Sequence, residues 1–108
     1  MLRLFGILFL VLGIHAFAYA LDLDKLKAYF LSGDYKSAIT EGERVLAKVE
    51  DSGPIDELYY ILGLSYLKDG NYLRASDIFE IILNECKGSH FKDDAILRLS
   101  SFSLMFPL

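Results

Sequence analysis

The sequence predicts an all-α fold, in which antiparallel helical hairpins stack as a short solenoid after an N-terminal apolar segment. Three observations carry this prediction. The chain resembles itself at an offset of 37 residues, and apolar residues recur at helical spacing within each repeat. No long run alternates between apolar and polar residues, as a half-buried strand would. The length of 108 residues allows one small domain.

The composition excludes several classes of protein. Apolar residues make up 54% of the chain and charged residues 24%, and the net charge is −4. Residues 1–20 carry a single charge, Arg3, so the rest of the chain is more acidic still. An acidic chain lacks the basic surface that neutralises nucleic-acid phosphates or anionic lipid headgroups, and we expect no nucleic-acid partner. Cys86 is the single cysteine, which excludes a disulfide framework.

Residues 1–20 have the three parts of a secretory signal peptide. Arg3 forms a short positive region, Leu4 to Ile14 form an apolar run, and Ala18-Tyr19-Ala20 provides the small-x-small cleavage pattern. We expect cleavage after Ala20 and export of residues 21–108. The alternative is an uncleaved membrane anchor formed by residues 4–21, which approach the length of a spanning helix. A lipid anchor is not expected, because no cysteine stands near the end of the apolar run.

The first repeat unit, residues 21–53, is predicted to hold two helices, at about 22–32 and 35–51. Gly33-Asp34 separates the two helices, since glycine and asparagine or aspartate favour a helix break. Gly53-Pro54 marks the joint to the next unit.

The second unit, residues 54–90, shows the hairpin more clearly. Asp56 and Glu57 place negative charge in a first helical turn, and Gly70-Asn71 breaks the helix. A second amphipathic helix follows, with an apolar stripe formed by Tyr72, Ala75, Ile78, Phe79, Ile82, Leu83 and Cys86. A last helix, at about 91–104, begins a partial third unit over residues 91–108.

The second unit resembles the tetratricopeptide repeat family. That family's signature is aromatic-x₂-Leu-Gly-x₂-Tyr in the first helix and Ala-x₃-Phe in the second. The matching residues here are Tyr59, Leu62, Gly63, Tyr66, Ala75 and Phe79. The resemblance implies that Gly63 and Ala75 lie where the helices cross closely, with aromatic rings filling the space around them. The first unit departs from the signature, with Leu26 in place of the glycine and Gly42 in place of the phenylalanine.

A narrower resemblance concerns the joint at residues 86–95, which is similar to the longer linkers of exported cell-envelope tetratricopeptide proteins. These are the outer-membrane assembly lipoproteins and the periplasmic coordinators of the Tol-Pal system. The absence of a lipid-anchor cysteine counts against the first type. The resemblance and the export signal together imply a bacterial periplasmic location.

The resemblance also implies a binding surface. In this family the first helices line a concave groove that binds an extended or helical segment of a partner protein. The groove positions here are Glu57, Tyr60, Leu64, Lys68 and Lys27, with Leu67, Leu23, Phe30 and Leu31 beside them. For Phe30, Leu64 and Leu67 the alternative is a place in the hydrophobic core. Tyr60 would act as an aromatic anchor, and the lysines would hold a carboxylate or a carbonyl.

Catalytic or metal-binding patterns are not found in the sequence. His90 is a lone histidine in a predicted loop, and Asp93-Asp94 is interpreted as charge complementing a helix N-terminus. We therefore expect a non-enzymatic scaffold or adaptor without a cofactor.

Two other interpretations stay open. The repeats number about two and a half where three are usual, and the last residues are apolar. The chain would then be a truncated member of a longer family that works by self-association through its open C-terminal edge or by completion from a partner chain. An accessory domain of a larger enzyme is the other alternative.

Overall fold

The computed structural model describes residues 23–49 and 55–105, with side chains up to residue 102. These residues form five helices: α1 (23–31), α2 (Tyr35–Lys48), α3 (Ile55–Lys68), α4 (Tyr72–Glu85) and α5 (Lys92–Met105). No strand occurs in these ranges, so the all-α prediction is confirmed. The predicted signal peptide at residues 1–20 and the Gly53-Pro54 joint lie outside the described residues.

The turn between α3 and α4 follows from glycine at one position. Gly70 has a φ of +87°, which a residue with a Cβ adopts only with strain. Its N–H donates to the Leu67 carbonyl at 3.1 Å, and the Asn71 N–H donates to the Tyr66 carbonyl at 2.9 Å. These two bonds form a Schellman motif, which satisfies carbonyls that the end of α3 leaves without helical partners.

The residue after that glycine also starts the next helix. The Asn71 side chain accepts a hydrogen bond from the Arg74 N–H at 3.2 Å, as an N-cap does. Asp34 caps α2 in the same way through the Ser37 N–H at 3.2 Å, and it follows Gly33, whose φ is +82°. Glycine followed by aspartate or asparagine thus ends one helix and begins the next within two residues.

The helices pack in sequence order, α2 on α3, α3 on α4 and α4 on α5. One buried cluster joins α1, α2 and α3 through Leu23, Leu26, Ala38, Val45, Leu58 and Ile61. A second joins α3, α4 and α5 through Leu64, Ala75, Phe79, Ile82, Ala95 and Phe102. Phe30 packs against both clusters, which makes the core continuous along the stack.

Each hairpin has one small and one large residue where its helices cross. A Cβ built on Gly63 of α3 would lie 2.7 Å from Cε1 of Phe79 on α4, so the missing side chain admits the ring. The first unit has the sizes exchanged at the equivalent positions. A Cβ on Gly42 of α2 would lie 3.6 Å from Cδ1 of Leu26 on α1 and 2.7 Å from Cδ1 of Leu62. The distance to Leu26 is an ordinary contact, so the close approach at Gly42 is to Leu62 of the next unit rather than to the other helix of its own hairpin.

Some helix boundaries differ from the sequence analysis. α2 ends at Lys48, before the expected residue 51, and Val49 is extended as its C-cap. Cys86 was expected on the apolar stripe within a helix; it instead caps α4, with its N–H donating to the Ile82 carbonyl at 3.2 Å, and it is half-buried. Glycine at position 88, with a φ of +84°, turns the chain immediately afterwards.

Candidate protein-binding surface

The groove residues predicted on α3 lie along one face of the helix. Glu57, Tyr60, Leu64 and Lys68 are spaced three or four residues apart, which puts their side chains in a single row. Side-chain contacts along this row connect α3 to α1 on one side and to α5 on the other. The first helices of the three units are therefore linked by side-chain contacts along this row. We call α1, α3 and α5 the first layer, and α2 and α4 the second layer.

Lys27 and Glu57 form the contact between α1 and α3. The Lys27 Nζ lies 2.6 Å from Oε1 of Glu57, and the two side chains are 40% and 31% exposed. An ion pair this open to water contributes up to about 1 kcal/mol to stability. Its two charges neutralise each other, so neither presents a free charge to a ligand.

Tyr60 forms the contact between α3 and α5. Its ring stacks on Phe91 with centroids 4.7 Å apart, and its hydroxyl donates a hydrogen bond to Asp94. Asp94 also lies 3.5 Å from Nε of Arg98, one turn along α5. Burial and the hydrogen bond to the Asp94 carboxylate raise the pKa of Tyr60. The aromatic residue expected as a ligand anchor thus has partners within the chain.

The remaining groove positions divide between core and surface. Leu64 and Leu23 are buried, at 9% and 5% exposure, and belong to the two core clusters. Lys68 is exposed at the end of α3, and Leu31 is 83% exposed at the end of α1. The accessible part of the predicted groove is therefore where α1 and α3 end.

A second polar cluster, which sequence reasoning missed, joins the two layers. The Tyr66 hydroxyl donates to Oε1 of Glu43 at 2.7 Å, and Nη2 of Arg74 lies 3.5 Å from the same oxygen. The Arg74 guanidinium also lies over the Tyr66 ring, 5.8 Å from its centroid. The signal available in the sequence was the repetition of glutamate at positions 43 and 80, in phase with the repeat.

The joint between α4 and α5 is also held by a side chain that the sequence analysis did not single out. The Ser89 hydroxyl donates to Oδ2 of Asp56 at 2.7 Å and accepts from the Phe91 N–H at 3.1 Å. A shallow cleft of about 270 Å³ lies beside these residues and includes Cys86. Burial, with smaller effects from the Asp56 and Glu85 carboxylates, raises the pKa of the Cys86 thiol. The uncharged thiol is therefore favoured at neutral pH.

No group of three or more histidine, cysteine, aspartate or glutamate side chains within residues 23–49 and 55–105 is placed to hold a metal ion. None of the helices in this part of the chain is long and apolar enough to cross a membrane.

Comparisons with protein-family models, with curated proteins and with solved structures gave no match to this chain.

Proposed function

We propose that this chain is an exported, non-enzymatic scaffold of the cell envelope that binds a segment of another protein along the layer formed by α1, α3 and α5. The layered stack of hairpins supports this proposal, because adjacent first helices form a continuous surface on which an extended or helical segment can lie. The resemblance to tetratricopeptide repeats supports the same reading of that surface.

The 83% exposure of Leu31 is the observation that carries the proposal. Leu31 and Lys68 hold equivalent repeat positions, 37 residues apart, on neighbouring first helices. Packed helices lie about 8–10 Å apart, which brings equivalent positions within reach of one short segment. An exposed leucine on one first helix and an exposed ammonium group on the next suit a segment that carries both an apolar side chain and a carboxylate. We call Leu31 and Lys68 the groove mouth.

Site-specific photocrosslinking tests the proposal. A photoreactive phenylalanine analogue placed at position 31 is expected to form a discrete adduct with one envelope protein, identified by mass spectrometry. The same analogue at Thr40, which is exposed on α2, is the matched control. Adducts of equal yield from both positions, or adducts only between copies of this chain, would contradict the proposal.

Charge reversal at the groove mouth gives an independent measurement. Lys68→Glu is expected to lower the yield of the adduct formed from position 31, because it repels the carboxylate of the bound segment. Lys48→Glu, also at an exposed lysine in the last turn of a helix, controls for the change in net charge. Equal adduct yields from the two variants would argue against the groove mouth as the site.

Export rests on residues 1–20 and is tested separately. N-terminal sequencing of the protein from a periplasmic fraction is expected to begin at Leu21. Ala18→Trp should block cleavage, since signal peptidase accepts only small side chains there. A protein that begins at Met1 in the membrane fraction would instead support an anchor formed by residues 4–21. A protein that begins at Met1 in the cytosol would refute export.

Self-association through the C-terminal end of the stack is the second candidate function. Ile96 and Leu97 on α5 are 43% and 66% exposed, which favours an interaction there. Light scattering coupled to size-exclusion chromatography measures the mass directly. A mass that stays at one chain across the concentration range would exclude this candidate.

A further inference from the structure

The second unit packs on the first through one side of α3. Ile61 belongs to the buried cluster that α3 shares with α1 and α2, and Leu62 is the residue that a Cβ on Gly42 would meet at 2.7 Å. Ser65, one turn further along α3 from Ile61, is buried as well. These three positions on α3 are therefore covered in the folded chain.

The internal repeat identifies the corresponding side of the first unit. An offset of 37 residues from those three positions leads to Asp24, Lys25 and Ala28 on α1, which we call the end face. All three are exposed, whereas their counterparts on α3 are buried. Within the part of the chain that the structure describes, neither Asp24 nor Lys25 forms an ion pair. The end face thus carries two solvated charges where the second unit carries apolar side chains.

The same exchange of apolar for charged residues occurs on α2, beside the end face. Glu41 holds the repeat position of Ile78, which is buried. The Glu41 carboxylate lies 2.5 Å from Nη2 of Arg44, whose side chain is 39% exposed. Glu41 and Tyr29 of α1 line one cleft of about 250 Å³, so this ion pair borders the end face. A helical unit packed there would cover charged groups that now reach water.

We propose that the end face is a charged cap, which keeps both another helical unit and a second copy of the chain from stacking on α1. Covering unpaired charges is unfavourable, and the apolar contact that would offset this cost is replaced here by Asp24 and Lys25. A polar outer face at the end of a repeat array keeps the array soluble in the same way.

The cap limits the assemblies that the chain can form. A head-to-tail contact joins two different surfaces and repeats into an open filament, and stacking of this kind would use the end face of every copy. A charged end face excludes that arrangement. Self-association through the opposite end of the stack would then join α5 to α5 and close as a dimer.

Cysteine labelling compares the equivalent positions on the two units. In a chain that carries Cys86→Ser, a thiol is introduced by Ala28→Cys or by Ser65→Cys, and its rate of reaction with a water-soluble maleimide is measured. Ala28→Cys is expected to react as fast in the folded chain as in urea. Ser65→Cys should react at least about tenfold more slowly in the folded chain, because a buried thiol reacts only when the structure opens.

Protection of Ala28→Cys in the folded chain, equal to that of Ser65→Cys, would overturn the proposal. Protection that disappears on dilution would identify a second copy as the covering partner. Protection that persists on dilution would mean that another part of the same chain packs on the end face.

Replacing the charges gives the converse test. Asp24→Ile with Lys25→Leu copies the residues of the second unit and leaves the net charge unchanged. This variant is expected to exceed the mass of the unmodified chain in light scattering, increasingly so at higher concentration, because its end face becomes an apolar patch. The matched control, Lys48→Leu with Asp77→Ile, adds the same two side chains at separate exposed positions and should leave the mass unchanged.

Circular dichroism verifies that both double variants keep their helicity. Equal masses of the end-face variant and the unmodified chain at every concentration would overturn the proposal, because the charges would then not be what prevents stacking.

Discussion

Replacing Gly63 by alanine tests the close crossing of α3 and α4. The added Cβ would lie 2.7 Å from Cε1 of Phe79 and 3.1 Å from Cδ1 and Cζ. Phe79 is fully buried, so its rigid ring has no free space into which to move. Overpacking of this kind costs about 1–3 kcal/mol, and the cost here belongs in the upper part of that range. Alanine regains about 1 kcal/mol of helix propensity, which leaves a net loss of about 1–2 kcal/mol.

Urea denaturation followed by circular dichroism at 222 nm measures this loss. The matched control is Gly42→Ala, whose Cβ would meet a terminal methyl group of Leu62 at 2.7 Å. A leucine side chain can rotate its end away more easily than a phenyl ring, so the control should lose less stability than Gly63→Ala. Phe79→Leu combined with Gly63→Ala should cost less than the sum of the two single changes, since the smaller side chain makes room for the Cβ.

Equal stability of the Gly63→Ala variant and the unmodified chain would refute the reasoning. It would mean that α3 and α4 separate without cost or that Phe79 does not occupy the crossing point. Strict additivity with Phe79→Leu would also refute it, because two residues in direct contact at a crowded site must be coupled.

Three further predictions concern the turn, the polar cluster and pH. Gly70→Ala is expected to lower the free energy of unfolding in urea by about 1–2 kcal/mol, because the left-handed φ of +87° strains any residue with a Cβ. No atom lies within 4 Å of the added Cβ, so the loss would come from the backbone alone. An unchanged stability would argue against this backbone conformation. Tyr66→Phe removes the hydrogen bond to Glu43 and should lower the free energy of unfolding by about 1 kcal/mol. Tyr59→Phe is the control and should cost less, because the Tyr59 hydroxyl has no hydrogen bond within the described residues. Equal losses from the two variants would mean that the Glu43 bond contributes nothing. Burial is the largest cause of the raised pKa of Tyr59, Tyr60 and Tyr66, and an ordinary tyrosine has a pKa of 10.0. Because these pKa values are higher in the folded chain than in the unfolded chain, stability is retained below pH 10 and falls as the pH rises through the folded-state values. Tyrosinate absorbance near 295 nm should accordingly show delayed ionisation of part of the tyrosines, and a single ionisation at the ordinary value would contradict the burial.

Helix type and hairpin turns could be predicted from the sequence because both depend on local chemistry. Apolar spacing in α4 and the glycine with its capping partner at Gly70-Asn71 act within a few residues of one another. The end of α2 was less predictable, since apolar and charged residues continue past Lys48 without a glycine or a proline until residue 53. Side-chain pairing across units was not predictable, because it depends on how the helices are placed relative to one another.

The predicted binding surface shows the same division. Spacing alone put Tyr60 and Lys68 in one row on α3, and this follows from the geometry of a helix. Only the tertiary structure shows that the Tyr60 ring stacks on Phe91 and that its hydroxyl bonds to Asp94. Because Tyr60 already has these partners, the accessible part of the predicted surface lies at Leu31 and Lys68. Asp94 was interpreted as a charge at a helix N-terminus, since nothing nearby in sequence reveals a hydroxyl 34 residues away.

The sequence by itself determined that this protein is helical, that its helices form hairpins, and that the hairpins repeat every 37 residues. Periodicity and capping act over short distances, and they leave a readable pattern. Only the tertiary structure decided that Gly63 lies against Phe79 of its own hairpin whereas Gly42 lies against Leu62 of the next unit. It also decided which apolar residues of α5 stay exposed. Packing depends on the sum of facing volumes rather than on either residue alone, so one helix does not reveal what its neighbour must supply.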